Sequence, residues 1–559
     1  MSSDASSGEP GARAIESSER DTGTRDSHGI DWGVAAPALL LILAIAVWAI
    51  AAPGGFGTAS NAAFEWLVDT LGWAFIISAV VFFVAMIALA FSSFGHIRLG
   101  RDGEKPEFST GGWIAMMFAA GMGIGLLFYG GYEPLYHYRN GVPGHEAGSA
   151  EDAFAHTLLH WGPVAWATYA VVGGAIAYST FRMGRPQLIS AACAPLIGER
   201  RAAGWLGKVI DVLAIFATVF GTAMSLGLGA SQISEGFRVT GAISEAGIGV
   251  MIAVICALAI AYLVSAMSGV ARGVQIMSKF NMWMAAAIAV FVLVAGPTIA
   301  MLDSIPMALG SFLDQLFEMT SRSAVSADGT AGDWLGSWTV FYWVWWVSWT
   351  PFVGMFLARI SRGRTIREFV VGIVVVPSTL TLVWFSIFGG AAIEFERTGR
   401  SIWGDGTEEA MLFGMLEQLP WSGVVTVLTM VLLATFFITT ADSASTVMGA
   451  MSQRGRVNPT PWVTGVWGLM TGVIAVAMLL SGGTDVLSSL QTIIIVAGSP
   501  FLLVVIALLI SLIRGVANDP SRLDDKSARK VHLRMMREQR KRENVARGRE
   551  KAPRRAARR

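Results

Sequence analysis

Residues 341–352 read FYWVWWVSWTPF, which puts Tyr342, Trp343, Trp345, Trp346 and Trp349 inside one apolar segment that is interrupted only by Ser348, Thr350 and Pro351. On a helix Tyr342, Trp346 and Trp349 follow the i, i+4, i+7 spacing and share one face. Rings at the level of lipid headgroups form belts of one or two per helix end. Four indoles across two turns exceed that need. Indole faces carry negative quadrupole charge, so a pocket walled by them suits a quaternary ammonium, a cation that cannot donate hydrogen bonds. A belt and a cage are the two readings of the stretch.

The composition around it agrees. Of 559 residues, 53% are hydrophobic and 14% charged. Apolar runs of about 20 residues, the length that crosses a hydrocarbon core, recur about twelve times between Gly33 and Ile513. The first 31 residues contain no apolar leader, so this acidic tail is expected to be disordered and cytoplasmic. Cys193 and Cys256 offer neither a disulfide framework nor metal-ligand spacing. No paired carboxylates, metal spacing or nucleophile motif marks the spans, which argues against an enzyme. Nothing suggests nucleic acid as a partner.

The apolar pattern predicts an all-α membrane protein with spans near 33–52, 70–91, 111–130, 158–180, 207–230, 247–266, 280–301, 334–357, 369–390, 424–446, 461–481 and 487–513. An even count starting inside also ends inside. The loops placed in the cytoplasm carry Arg98, Arg101, Lys105 and the run Arg359, Arg362, Arg364, Arg367, whereas the outer loops are acidic at Glu394, Glu396, Glu408 and Glu409. This is the positive-inside pattern. The segment from Asp303 to Met319 is too polar to span and reads as an amphipathic helix on the outer surface. Residues 32–514 form the membrane domain. Residues 515–559 form a basic cytoplasmic helix or tail.

Two spans are interrupted at corresponding places, the third at Gly121, Met122, Gly123, Ile124, Gly125 and the eighth at the tryptophan stretch ending in Pro351. Matching interruptions in two halves mark the site of many transporters. Spans three to seven and eight to twelve then form two repeats of five, preceded by two additional helices. Gly121 and Gly125 also have the spacing of a close helix contact. Three glycines in five residues weaken a helix by roughly 1 kcal/mol each, which favours local unwinding.

The fourth span opens with His160, Trp161, Gly162, Pro163 and continues to Trp166 and Tyr169, which lie three apart on one face. Pro163 makes its first turn irregular. Two further faces carry oxygen: Phe436, Thr439, Thr440 and Ser443 in the tenth span, and Thr218, Thr222 and Ser225 in the fifth. Such hydroxyls either bond back to the preceding carbonyls or, with carbonyls of an unwound helix, coordinate sodium. A proton relay would need acids or histidines inside the spans. Asp442 and His160 are the candidates near span interiors, and both are expected close to an end.

With GMGIGLLFYG from Gly121, YRNGVPGH from Tyr138, FYWVWWVSWTPFVGMFLARISRGR from Phe341 and FFITTADSASTVMG from Phe436, the chain resembles the betaine/choline/carnitine transporter (BCCT) family over about residues 30–515. It most resembles the sodium-coupled glycine betaine carriers of actinobacteria. The resemblance implies a leucine-transporter-like 5+5 inverted repeat, a homotrimer in the bacterial cytoplasmic membrane, and a Trp/Tyr box of Trp161, Trp166, Tyr169 and Trp346 around a trimethylammonium group. Trp349 and Phe352 then line the path below the box. It places one sodium between the backbone of Ala119 and Met122 and the side chains of Thr439 and Thr440, and a second near Thr218 and Thr222. Thr440 stands where serine is more usual in the family.

Choline carriers of this family tend to carry aspartate at the last position of the GMGIG run, here Gly125. A bare cation gains from a carboxylate, whereas betaine brings its own and would be repelled. The expected substrate is therefore a zwitterionic quaternary ammonium, with its carboxylate at backbone N–H groups exposed by the glycine break from Gly121 to Gly125. Choline, carnitine, ectoine and proline remain open as substrates, as does a channel or membrane sensor using the box only for recognition. No cofactor is expected beyond co-transported Na+. Sixteen basic residues against six acids in 515–559 predict attraction to anionic membrane lipids, weakened as internal salt rises.

Overall fold

The computed structural model describes residues 29–121, 123–268, 271–400, 402–403, 407–481, 486–520 and 533–538. Among these there is no β-strand, only two isolated backbone bridges. Among the described residues ten helical stretches are long and apolar enough to cross a membrane, and the pair Leu487–Gly498 and Phe501–Ala517, bent by 50°, qualifies jointly. In chain order the principal helices are α1 (Trp32–Ala51), α2 (Pro53–Phe91), α3 (Thr110–Gly121), α4 (Ile124–Asn140), α5 (Ala150–Trp161), α6 (Pro163–Ala177), α7 (Trp205–Val239) and α8 (Ile248–Ser268). They continue as α9 (Ala271–Ala295), α10 (Thr298–Ser321), α11 (Phe341–Ile360), α12 (Ile366–Arg397), α13 (Ser422–Ser452), α14 (Pro461–Ser481), α15 (Val486–Gly498) and α16 (Phe501–Ala517).

The third expected span is thus two helices, neither long enough to cross alone. Between them Gly123 is fully extended, with φ −155° and ψ −176°, so the glycine run does unwind the helix. Met122 lies outside the described residues. The fourth span is likewise divided, at Gly162 and Pro163. The eighth differs from expectation: α11 runs unbroken through Pro351, and its irregularity is a π-helical turn at Gly336–Val340 upstream of the tryptophans. Proline removes the N–H that would reach the Val347 carbonyl. The Thr350 hydroxyl donates to that carbonyl at 2.7 Å instead, and Ser348 donates to Trp345 O at 2.7 Å. The helix therefore keeps its acceptors satisfied without a break.

Several helices outrun their expected bounds, α2 and α4 by the most. α2 begins at Pro53 and has 39 residues, continuing through the helix formers Ala59, Ala62, Ala63, Glu65 and Leu67. α4 continues to Asn140, carrying Glu133 and His137 into the buried interior. The amphipathic segment forms α10, which packs on α5 and α12 through Met301, Ser304, Ala308 and Phe312.

Packing between the helices repeats under a shift of five spans. The contact of α4 with α12 has its counterpart in α11 with α6; α7 with α14 in α13 with α8; α7 with α15 in α13 with α9; and α6 with α16 in α12 with α9. The pairs α7–α13, α8–α14 and α6–α12 map onto themselves. Because five is odd, each helix crosses in the direction opposite to its counterpart, so the second set of five is the first inverted. α1 and α2 stand outside this scheme. They expose Leu40, Val47, Val81 and Val84 outward, as a surface facing hydrocarbon requires.

Candidate functional site

The break between α5 and α6 creates the site. A helix end leaves carbonyls without intrahelical partners. At the end of α5 those of His160 and Trp161 are taken by neighbouring spans: Trp346 Nε1 donates to His160 O at 2.9 Å and the Thr381 hydroxyl to Trp161 O at 3.1 Å. The first bond draws α11 against the break. Trp346 then lies 5.6 Å from Trp161, 5.7 Å from Trp166 and 5.0 Å from Tyr169, centroid to centroid, and Trp166 lies 5.3 Å from Tyr169. The four rings form a box, mostly in edge-to-face or tilted contact.

The box opens on a cavity of about 170 Å³. Trp349 and Phe352, one turn farther along α11, line it, with Trp349 held by a 2.9 Å bond from its Nε1 to Gly221 O. Gly123 and Gly125 from the unwound span face the same space, as do Phe436, Thr439, Thr440 and Ser443 from α13. Among the described residues, no charged side chain lines it. The expected aromatic, glycine and hydroxyl groups thus converge, although they come from four spans.

Other expected residues are placed differently. Gly121 ends α3, Ala119 is in that helix, and Met122 lies outside the described residues. Thr218 and Thr222 are buried in α7 but do not line the cavity, and the Thr218 hydroxyl bonds back to Ala214 O at 2.7 Å. Asp442 turns to α8, where Ser265 donates to it at 2.7 Å. Tyr342 does not join the face of Trp346 and Trp349 in the cavity; it turns to Glu133.

Several contributors were not anticipated, three of which bear on the box. Trp345 lines the cavity, and a Cβ added at Gly125 would stand 2.8 Å from its Cη2 and 3.0 Å from Cη2 of Trp161. Gly125 is therefore also a close-approach glycine. Asn281 of α9 lines the cavity and donates from Nδ2 to the Thr439 hydroxyl at 3.1 Å. Glu133, with His137 and His160, forms a fully buried cluster behind Trp161. Asp442 and His160 are thus not the only ionisable groups inside the spans. A single Asn or Glu carries no periodic signal, and only the packing reveals it.

The sequence matches the family described as "BCCT, betaine/carnitine/choline family transporter" over residues 33–521. It is 40% identical over 510 residues to the betaine/ectoine transporter LcoP of Corynebacterium glutamicum, covering 90% of this chain and 81% of the relative. It is also 40% identical over 496 residues to the glycine betaine transporter OpuD of Bacillus subtilis, covering 88% and 95%. Glycine betaine transporter 1 of Vibrio parahaemolyticus is 36% identical over 463 residues, covering 81% and 87%.

Proposed function

This chain belongs to the betaine/carnitine/choline transporter family, and we propose that it is a secondary active, sodium-coupled importer of glycine betaine. It is a multi-pass membrane transporter, not an enzyme. The observation that carries the substrate reading is the box of Trp161, Trp166, Tyr169 and Trp346 closing on a cavity that no charged side chain lines among the described residues. Aromatic faces attract the trimethylammonium end. A lining carboxylate would favour a bare cation, and its absence favours a zwitterion. The carboxylate of betaine meets the backbone around the extended Gly123, where N–H groups are released from the helix. The relatives transport betaine or ectoine by name, which supports the same class.

The sodium reading rests on Thr439 and Thr440, which line the same cavity as the unwound Gly123. The first ion lies between them and the backbone at Ala119 and Met122. The second lies near Thr218 and Thr222. A zwitterion carries no net charge, so the membrane potential cannot concentrate it directly. Each co-transported sodium contributes about 2.3 kcal/mol per 100 mV. Two would sustain roughly a thousandfold accumulation, the scale an osmolyte requires. The working unit is a homotrimer in the bacterial cytoplasmic membrane with both termini inside, and its basic tail, described at 515–520 and 533–538, engages anionic lipid and regulates uptake by osmotic state.

Uptake of labelled betaine, choline, carnitine and ectoine into proteoliposomes, with and without a sodium gradient, tests the proposal. Saturable betaine uptake that collapses without sodium is expected. Flux that follows only the substrate gradient would identify a channel and overturn it.

A further inference from the structure

The Trp161 ring is fixed at two edges. Its Cη2 side lodges where any side chain at residue 125 would collide with it. Its Nε1 donates to Glu133 Oε2 at 2.7 Å. Glu133 is fully buried on α4, and the same oxygen accepts from the Tyr342 hydroxyl of α11. The other oxygen, Oε1, lies 2.7 Å from His160 Nδ1. His160 Nε2 is 3.1 Å from the Thr339 hydroxyl, which can donate to it and leave the ring proton on Nδ1, facing Glu133. Three donors thus converge on one carboxylate, which needs no proton of its own to be satisfied.

Burying a carboxylate costs several kcal/mol even when paired, and an apolar side chain could fill the same space. Within the fold, however, Glu133 joins α4, α5 and α11, the three helices that contribute Gly125, Trp161 and Trp346 to the cavity lining. We propose that Glu133 is a positioning residue for substrate recognition: it locks the Trp161 indole in its wall of the cage and, through a charge-assisted hydrogen bond, enriches the electron density of the ring that faces the trimethylammonium group. The bond from Nε1 to a carboxylate is of the strong class, and a more electron-rich indole face attracts a cation more strongly. Specificity for a quaternary ammonium is thereby set partly from behind the cage, by a group that never touches the ligand. The inference rests on the betaine reading given above.

A double-mutant cycle on betaine binding tests it, read by intrinsic fluorescence of the purified full-length protein in saturating sodium. Glu133→Gln keeps the shape and removes the charge. Trp161→Phe keeps a ring and removes the N–H. Each is expected to weaken betaine binding by about tenfold, and the double variant by no more than the more affected single variant, because both remove one interaction. Tyr342→Phe, which leaves Trp161 bonded to Glu133, is expected to stay within about twofold of the parent protein. Multiplicative losses in the double variant, or a Tyr342→Phe loss as large as that of Glu133→Gln, would overturn the proposal and leave Glu133 a purely structural group. Should Glu133→Gln fail to fold, Glu133→Asp replaces it in the cycle, since its shorter carboxylate withdraws from Trp161, and the same non-additivity is required. A parent protein that binds no betaine would defeat the functional reading instead, which keeps the two failures apart.

Discussion

Gly125 is where sterics and charge can be separated. A Cβ there would stand 2.8 Å from Trp345 and 3.0 Å from Trp161, well inside the 3.5–4.0 Å of comfortable carbon contact. Any substitution must therefore push two buried indoles, one of them a wall of the box. Overpacking of this kind costs about 1 to 3 kcal/mol, so Gly125→Ala should weaken betaine and choline by similar factors, about tenfold to a hundredfold. Gly125→Asp adds a carboxylate to the same displacement. At roughly 6 Å from the trimethylammonium and an effective dielectric of about 20, it attracts a bare cation by about 3 kcal/mol. Betaine gains less, because its own carboxylate is repelled. The choline-to-betaine affinity ratio should thus rise by up to about a hundredfold in Gly125→Asp relative to Gly125→Ala, although absolute betaine affinity falls in both. Competition binding in detergent, with transport in proteoliposomes as a second readout, measures the ratio. Equal ratios in the two variants would refute the electrostatic argument and leave Gly125 as a packing residue alone.

The other expectations follow from neighbouring contacts. Trp346→Ala removes a cation–π face worth about 0.5 to 2 kcal/mol and the bond to His160 O; calorimetry should show betaine affinity reduced at least tenfold, and Trp346→Phe should lie between that variant and the parent. Removing both hydroxyls with Thr439→Ala and Thr440→Ala should raise the sodium concentration for half-maximal uptake far more than it changes betaine binding at saturating sodium, and equal loss of both would point to misfolding. Deleting residues 525–559 should leave sodium-coupled uptake intact while removing its stimulation by internal potassium; a truncated carrier that still responds fully would place the sensor elsewhere. The Glu318 carboxyl at the end of α10 is held below the ordinary carboxylate range, first by its hydrogen bond with His145 and then by Arg322. A depressed folded pKa gives stability that is present above the unfolded value of about 4.3 and lost as pH falls through the folded one. Protease sensitivity of α10 should accordingly rise on acidification below about pH 4, and Glu318→Gln should show that sensitivity already at neutral pH.

What could be read from the sequence was whatever repeats along one helix. The apolar runs placed the spans, the glycine run placed the unwinding at Gly123, and the spacings within α6, α11 and α13 grouped the faces that meet at the cavity. Two of the misreadings share a cause. Tyr132, Glu133, His137, Arg139 and Asn140 look like a loop because polar residues usually end a span, yet α4 continues through them. Pro351 looks like a break, yet the neighbouring Thr350 repairs the missing bond. Glu133 is tolerated there because three donors meet it, and Pro351 because the Thr350 hydroxyl takes the freed carbonyl.

Whether the sequence can reveal such a partner depends on its distance along the chain. Thr350 precedes Pro351 directly, so its rescue is a local pattern, legible once hydroxyls are counted as backbone donors. The partners of Glu133 are not local: Trp161 is 28 residues away and Tyr342 is 209. No periodicity links them, since each lies on a helix whose own pattern is complete without it. The five-span repeat brings them within reach, because it packs α4 on α12 as it packs α11 on α6, folding the two interrupted spans toward a common centre. A buried carboxylate at that centre is costly unless several donors meet it. An isolated acid at the apparent end of an interrupted span in such a repeat is therefore better read as a convergence point of helices than as the first residue of a loop, and for this chain that reading leads directly from Glu133 to Trp161 and the box.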